Sequence, residues 1–269
     1  EVNLKNKPIN KTKIDNILTP LGKTGNLKKI KLTSNPRIKT KVEKIVSDGD
    51  IKAVDAITNL YKKGIDENTL SKILSVGSLG IEKDRKLVPT RWSITATDDI
   101  LAKKYIEDIK QYDFIENSIF YGKYLGNFFI VMFFPDIWGF ELFEIESPLK
   151  INPWSKNGYA YATDFEDFEG RKKYAAETSG GYYAARLPIV EKLSKLKKQG
   201  AVLAIRVITK EDEFPLGVWV VKEAMRRSME NKEVILEDNN STINFYAKIL
   251  KNNFNIGLDL ISNVSNLLK

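Results

Sequence analysis

Two short segments bring together residue types suited to holding a phosphate. The first runs from Gly80 to Thr95 and places Lys83, Arg85, Lys86 and Arg91 around Pro89, interleaved with the hydroxyls of Thr90, Ser93 and Thr95. Charged donors and hydroxyls on one exposed turn make a phosphate cradle. Trp92 in the same turn can stack on a base or a nicotinamide ring. The competing reading buries Trp92 as an anchor and pairs Arg91 with a carboxylate such as Asp98 or Glu141; three cations in one turn favour the cradle, being costly to neutralise by accident. The second segment is Ser179-Gly180-Gly181-Tyr182-Tyr183. Its glycines let a backbone approach a phosphate, and a following helix offers free N–H groups, with Arg186 at or just before the helix start. Neither the G-x-G-x-x-G spacing nor the Walker Lys-Ser/Thr is met, so a tight structural loop is an equal alternative.

With no Cys and no His in 269 residues, thiolate nucleophiles, imidazole bases, disulfides and Cys/His zinc sites are excluded within this chain. Acid–base work falls to carboxylates. Glu141 and Glu177 are the candidate catalytic groups, with Glu144, Glu146 and Glu223 beside them in the inventory. Glu144 and Glu146 share one face of a strand-like run and Glu141 takes the other. An Arg, a hydroxyl and a Glu, here Arg91, Ser93 and Glu141 or Glu177, parallel the roles used by ADP-ribosyltransferases on NAD, without a matching motif. A Mg²⁺-dependent nuclease would need two or three converging acids. No metal ligands are assigned, and no cofactor is legible.

The elements that must position these groups follow from periodicity. Helices are expected over 51–62 and 66–74, and Thr97 is expected to cap a helix running to about Tyr112. Strands are expected over 114–124, 127–134 and 138–145, forming an antiparallel meander, with Phe128, Phe129, Phe133 and Phe134 as core. After Pro148 and Pro153, a polar stretch holding Asp164, Glu166, Asp167 and Glu169 reads as a long loop. A helix opening near Pro188 and ending in Lys192–Lys198, a buried strand at 201–208, a helix at 218–229 and two amphipathic helices over 242–268, broken at Asn252-Asn253, complete the chain. The fold class is α+β: an antiparallel sheet core with flanking helices and a basic N-terminal arm. The divisions are residues 1–35 (a loosely ordered arm), 36–235 (the core) and 236–269 (the terminal helices).

Charge is concentrated at one end. Residues 1–44 carry twelve Lys or Arg and three Asp or Glu; the rest carries thirty-one and thirty-two. Such an arm is the footprint of phosphate contact through counterion release, or else a solvated leader. No apolar run reaches the roughly 18–20 residues of a membrane span, and the first residues lack a signal-peptide core, so a cytoplasmic protein without a membrane partner is expected.

Four segments in order resemble the archaeal Nre family of DNA-repair proteins. They are Leu74-Ser75-Val76-Gly77-Ser78-Leu79-Gly80 running into Lys86-Leu87-Val88-Pro89-Thr90-Arg91-Trp92-Ser93-Ile94-Thr95; Leu125-Gly126-Asn127 with Trp138-Gly139-Phe140-Glu141; Ser179 to Arg186; and Pro215-Leu216-Gly217-Val218-Trp219 through Glu223. The resemblance covers roughly residues 20 to 230. It implies a role in DNA damage tolerance, with DNA as partner, and in some members a C-terminal motif for the replication sliding clamp. That motif needs a Gln and paired aromatics, whereas this chain ends Ser265-Asn266-Leu267-Leu268-Lys269, so clamp binding is not carried over. The resemblance also implies an upstream portion, usual in family members and sometimes with metal-type cysteines, and this chain reads as beginning inside the family pattern. The leading expectation is a DNA-repair protein that binds DNA or a nucleotide phosphate through both segments. The rivals are the two enzyme readings above and a non-catalytic adaptor.

Overall fold

Apolar, aromatic-rich runs separated by Gly-Asn, Pro-Asp and long polar stretches build a central sheet. The computed structural model describes residues 2–4, 13–14, 20–21, 27–30, 37–146, 161–209 and 217–268. The chain divides into two compact units, Glu1–Ser47 and Asp48–Lys269. In the first, β1 (Val2–Leu4) pairs antiparallel with β4 (Leu27–Ile30), β2 (Lys13–Ile14) pairs with β3 (Pro20–Leu21), and α1 spans Thr40–Ser47. The described residues of the basic arm therefore include paired strands, where the sequence reads as loosely ordered; its other residues lie outside the description.

The second unit opens with α2 (Ala53–Lys62), α3 (Glu67–Ser75) and α4 (Thr90–Ile109). Then come β5 (Asp113–Phe114), β6 (Ser118–Tyr124), β7 (Asn127–Phe134), β8 (Gly139–Glu146) and β9 (Tyr161–Glu166). The chain continues through α5 (Gly180–Leu196), β10 (Lys198–Gln199), β11 (Ala201–Ile208), α6 (Val218–Glu230), β12 (Val234–Ile235), α7 (Asn239–Phe254) and α8 (Asp259–Ser262). Six strands form one sheet in the order β12-β6-β7-β11-β8-β9.

The fold is α+β, but its sheet is mixed rather than a meander. β11 lies between β7 and β8, antiparallel to the first and parallel to the second, with Ala201 opposite both Phe134 and Gly139. Seven of its eight residues are buried and all but Arg206 are apolar, and such a strand belongs at a sheet centre. Residues 135–138 bridge two strand spacings, about 9.5 Å, which four residues span easily at about 3.3 Å each.

One sheet face carries Ile130, Met132, Phe143, Ile145, Leu203 and Ile205, covered by Tyr246, Leu250, Ile256 and Ile261 from the C-terminal segment. The terminal helices are thus amphipathic because they roof the sheet. The other face carries Phe120, Phe129, Phe133 and Glu144 and meets α5 and α6: a Cβ on Gly122 would strike Ser228, and one on Gly181 would strike Glu144. Phe129 and Phe133 are fully buried and Phe134 nearly so, as core aromatics should be.

Three local expectations are corrected. First, α4 begins at Thr90, not Thr97. Pro89 presets the backbone before the first turn, and the hydroxyls of Ser93, Thr95 and Thr97 donate back to the carbonyls of Thr90, Arg91 and Ser93 at 2.8, 3.1 and 2.8 Å. Second, α5 begins at Gly180 and carries Pro188 in its interior. A mid-helix Pro costs about 3 kcal/mol; here every residue from Gly181 to Val190 is buried, and packing overrides propensity. Third, Asp164 and Glu166 lie on strand β9 rather than in a loop. The stretch containing Pro148 and Pro153 lies outside the described residues.

Candidate functional site: a basic cavity beside an aromatic stack

The connection from β9 to α5 is clamped onto Asp164. One carboxylate oxygen, Oδ2, accepts from the Glu177 and Thr178 backbones and the Thr178 hydroxyl at 3.0, 2.8 and 2.9 Å. The other, Oδ1, pairs with Arg171 at 2.8 Å, and Arg171 also donates to the Phe165 carbonyl at 2.7 Å. Both ends of the 171–178 loop are therefore fixed, and Lys172, Lys173 and Tyr174 are displayed between them.

Tyr174 joins the two segments singled out in the sequence. Its ring lies 5.5 Å from Trp92 of α4 and 5.3 Å from Tyr183 of α5, the latter nearly parallel at 25°. Burial pushes its phenol up, while the hydroxyls of Ser179 and Thr95 and the Arg91 cation pull the other way, placing all three groups around it. The stack continues inward from Tyr183 to Tyr182, Phe140 and Trp138, with centroids 5.0–6.3 Å apart. The outermost ring, Trp92, is 45% exposed, so the predicted base-stacking residue is at the surface rather than a core anchor.

Beside this stack is a cavity of about 230 Å³. Lys172, Lys173 and Tyr174 line it from the loop, Asp99 and Lys103 from α4, and Tyr183 and Arg186 from α5. Arg186 is only 1% exposed. It pairs with Glu166 and with Asp99, both at 2.5 Å, and Asp99 also bridges to Lys103 at 2.7 Å. Burial alone would weaken the Arg186 cation, but Glu166 and Asp99 outweigh it and hold the guanidinium charged. The Glu166 carboxylate is held in turn by the Trp138 indole at 3.2 Å. Arg186 Nε is buried without a hydrogen-bond partner. Lys172 and Lys173 are exposed and have no ion-pair partner among the described residues.

Other expected site residues take different places. Arg85 spends its donors on the carbonyls of Gly80 and Asp48 at 2.8 and 2.7 Å, bracing the loop. Lys86 is exposed and its backbone runs against Gly77. Thr90 is exposed at the helix start, whereas Ser93 and Thr95 are buried. Arg91 is exposed with its guanidinium 5.6 Å from the Trp92 ring; the carboxylates considered for it are taken, Asp98 by Lys222 at 2.5 Å and Glu141 by the C-terminal segment. Tyr182 is fully buried in the stack, between the guanidiniums of Arg171 and Arg186. Arg186 sits within α5, not ahead of it.

The glycines serve close packing. A Cβ on Gly180 would come within 2.7 Å of Val218, and one on Gly181 within 2.5 Å of Glu144 Oε1. They line a second cleft of about 270 Å³, in which Arg206, the one cation among the described lining residues, is paired with Glu144 at 2.6 Å.

The two catalytic candidates do not meet at the cavity. Glu141 is fully buried on the opposite sheet face, accepting from the Ser265 hydroxyl at 2.6 Å and from the Asn266 and Leu267 backbones at 3.0 and 3.1 Å. Glu177 accepts from the Thr163 backbone at 3.3 Å. The carboxylates that reach the cavity are Asp99 and, beneath it, Glu166. Among the described residues no group of three or more carboxylates forms a metal site. No helix is long and apolar enough to cross a membrane, among the described residues.

Arg171-Lys172-Lys173-Tyr174, Asp99 and Lys103 escaped the sequence reading. The signal was present in the first four, a cationic triplet next to an aromatic.

Residues 1–154 match the model of the archaeal Nre N-terminal region, and 166–267 match that of the C-terminal region. The chain belongs to the archaeal Nre family. It is 37% identical over 243 residues to DNA repair protein NreA of Archaeoglobus fulgidus, covering 90% of this chain and 61% of that protein. NreA of Haloferax volcanii is 37% identical over 220 residues (81% and 52%), and NreB of A. fulgidus 37% over 234 (86% and 59%). The chain thus spans between half and two thirds of the length of these relatives. No solved structure matches it. Within this Nre chain the cavity straddles both matched regions: Asp99 and Lys103 come from the first, and the loop and α5 from the second.

Proposed function

We propose that this chain acts in DNA repair by binding a nucleic-acid phosphate in the basic cavity, with a neighbouring base against Trp92. The observation that carries this reading is the meeting of Lys172 and Lys173, without ion-pair partners among the described residues, with an exposed aromatic stack. Cations fix the backbone and a ring takes the base, the combination by which single strands are held with little regard to sequence. The names of the relatives, DNA repair proteins, supply the context. Glu141 faces the other side of the sheet, so the enzyme readings that use it gain no support.

The test is binding of labelled single-stranded DNA across a salt series. Replacing Lys172 and Lys173 together by Ala should weaken binding and lower the log–log salt slope by about 0.7 for each phosphate no longer engaged. An unchanged affinity and slope would remove the cavity from consideration.

A further inference from the structure

We infer that the cavity takes a terminal phosphate monoester of a nucleic-acid strand, not an internal phosphodiester; this rests on the phosphate-binding reading above. Three observations point the same way.

The first is charge. Arg171, Lys172, Lys173, Arg186 and Lys103 surround the cavity, and Asp99, Asp164 and Glu166 pair with three of them. Two cations, Lys172 and Lys173, are left over among the described residues. An internal phosphodiester brings one negative charge, whereas a terminal monoester brings about 1.5 to 2 near neutral pH. The end group is the better match.

The second is shape. At about 230 Å³ the cavity is smaller than the roughly 300–1,000 Å³ of pockets that enclose a whole small ligand. Buried Arg186 and Tyr183, 1% and 6% exposed, form part of its wall, and the loop beside it is fixed at both ends on Asp164. It admits a group at the end of a chain. The sugar and base stay outside, where Trp92 and Tyr174 are 45% and 40% exposed.

The third is donor number. The ammonium groups of Lys172 and Lys173, without an ion-pair partner among the described residues, line the cavity with several N–H donors. A monoester has three terminal oxygens to offer them, a diester two.

Single-stranded oligonucleotides of one sequence, labelled internally, separate the possibilities. Forms with a 5′-phosphate, a 3′-phosphate, hydroxyls at both ends, and a closed circle are compared by anisotropy at constant salt. One phosphorylated form should bind roughly tenfold or more tighter than the hydroxyl form, the gain expected from an added charge-assisted hydrogen bond. Which end is preferred identifies the polarity. A mononucleotide carrying the same phosphate should compete at higher concentration. The Lys172→Ala/Lys173→Ala variant should lose the preference, whereas Trp92→Ala should weaken every form and keep it. Equal binding of phosphorylated, hydroxyl and circular DNA would overturn the terminal-phosphate inference and leave phosphate binding standing. Failure of all forms to bind would overturn both.

Discussion

Asp98 is a fully buried carboxylate whose pairing with Lys222 does not offset its desolvation. Burial, the larger effect, raises it from 3.8 to about 6 against the pull of Lys222. Between those values the folded chain holds a proton that the unfolded chain has released, so this group makes stability fall as pH rises through the window. Lys222→Met strands the carboxylate and raises it further. The variant should lose about 3–5 kcal/mol near neutral pH, as expected for half of a broken buried pair. Part of that loss should return near pH 5, where Asp98 takes up a proton. Denaturant melts of both proteins at the two pH values measure this. A deficit that is the same at both would show that Asp98 stays ionised.

At the scale of elements, the first turn of α5 is held in an unusual way. Ser179, its N-cap, has φ 49° and ψ −130°, a region that suits glycine, and makes no side-chain cap bond. Such a conformation costs on the order of 1–3 kcal/mol. It persists because Thr178 is clamped on Asp164 before it, while Gly180 and Gly181 are packed against Val218 and Glu144 after it. Ser179→Gly should therefore raise stability by about 1 kcal/mol, seen as a higher melting temperature. If the Ser179 hydroxyl also fixes Tyr174, the same variant will bind DNA more weakly despite being more stable. No stabilisation at all would mean that the strain is relieved in solution. Elsewhere one side chain joins three helices: Arg226 of α6 pairs with Glu67 of α3 at 2.5 Å and Glu191 of α5 at 3.1 Å. Burial alone would raise Glu67, and the Arg226 guanidinium overcomes this to hold it below its usual range. α4, the cavity's other helical wall, packs against two of these helices, α3 and α5.

Considered whole, the molecule has two concentrations of positive charge that bear on the proposed DNA binding. One is the cavity, and the other is the arm, with twelve cations in residues 1–44. They should act differently on DNA. Deleting residues 1–35 should flatten the salt dependence by about 0.9 for each phosphate the arm had neutralised on duplex DNA, and should lower affinity for all forms alike. A slope that survives the deletion would make the arm a bystander. Selectivity between strand ends should remain with the cavity in either case.

Much of the fold was legible without coordinates. Asn127–Phe134 and Ala201–Ile208 are read to the residue as strands, and Val218–Glu230 as a helix nearly so, because unbroken apolar runs and 3.6-residue periodicity are properties of local sequence. Trp92, Arg91, Tyr183 and Arg186 were also legible as residues worth attention. Their roles were not. Arg186 depends on Asp99 and Glu166, 87 and 20 positions away. Glu141 depends on a segment more than 120 residues downstream, and β8 depends on β11 as a neighbour. Side-chain partners of that kind are chosen by packing of the sheet against its helices, which also overrode the Pro188 signal and buried the Ser93 and Thr95 hydroxyls. Sequence by itself determined most of the strands and helices, the family and the charge on the arm; tertiary structure alone decided strand β9, the starts of α4 and α5, the strand order and which charges face each other, since desolvation and proximity arise only when distant segments meet.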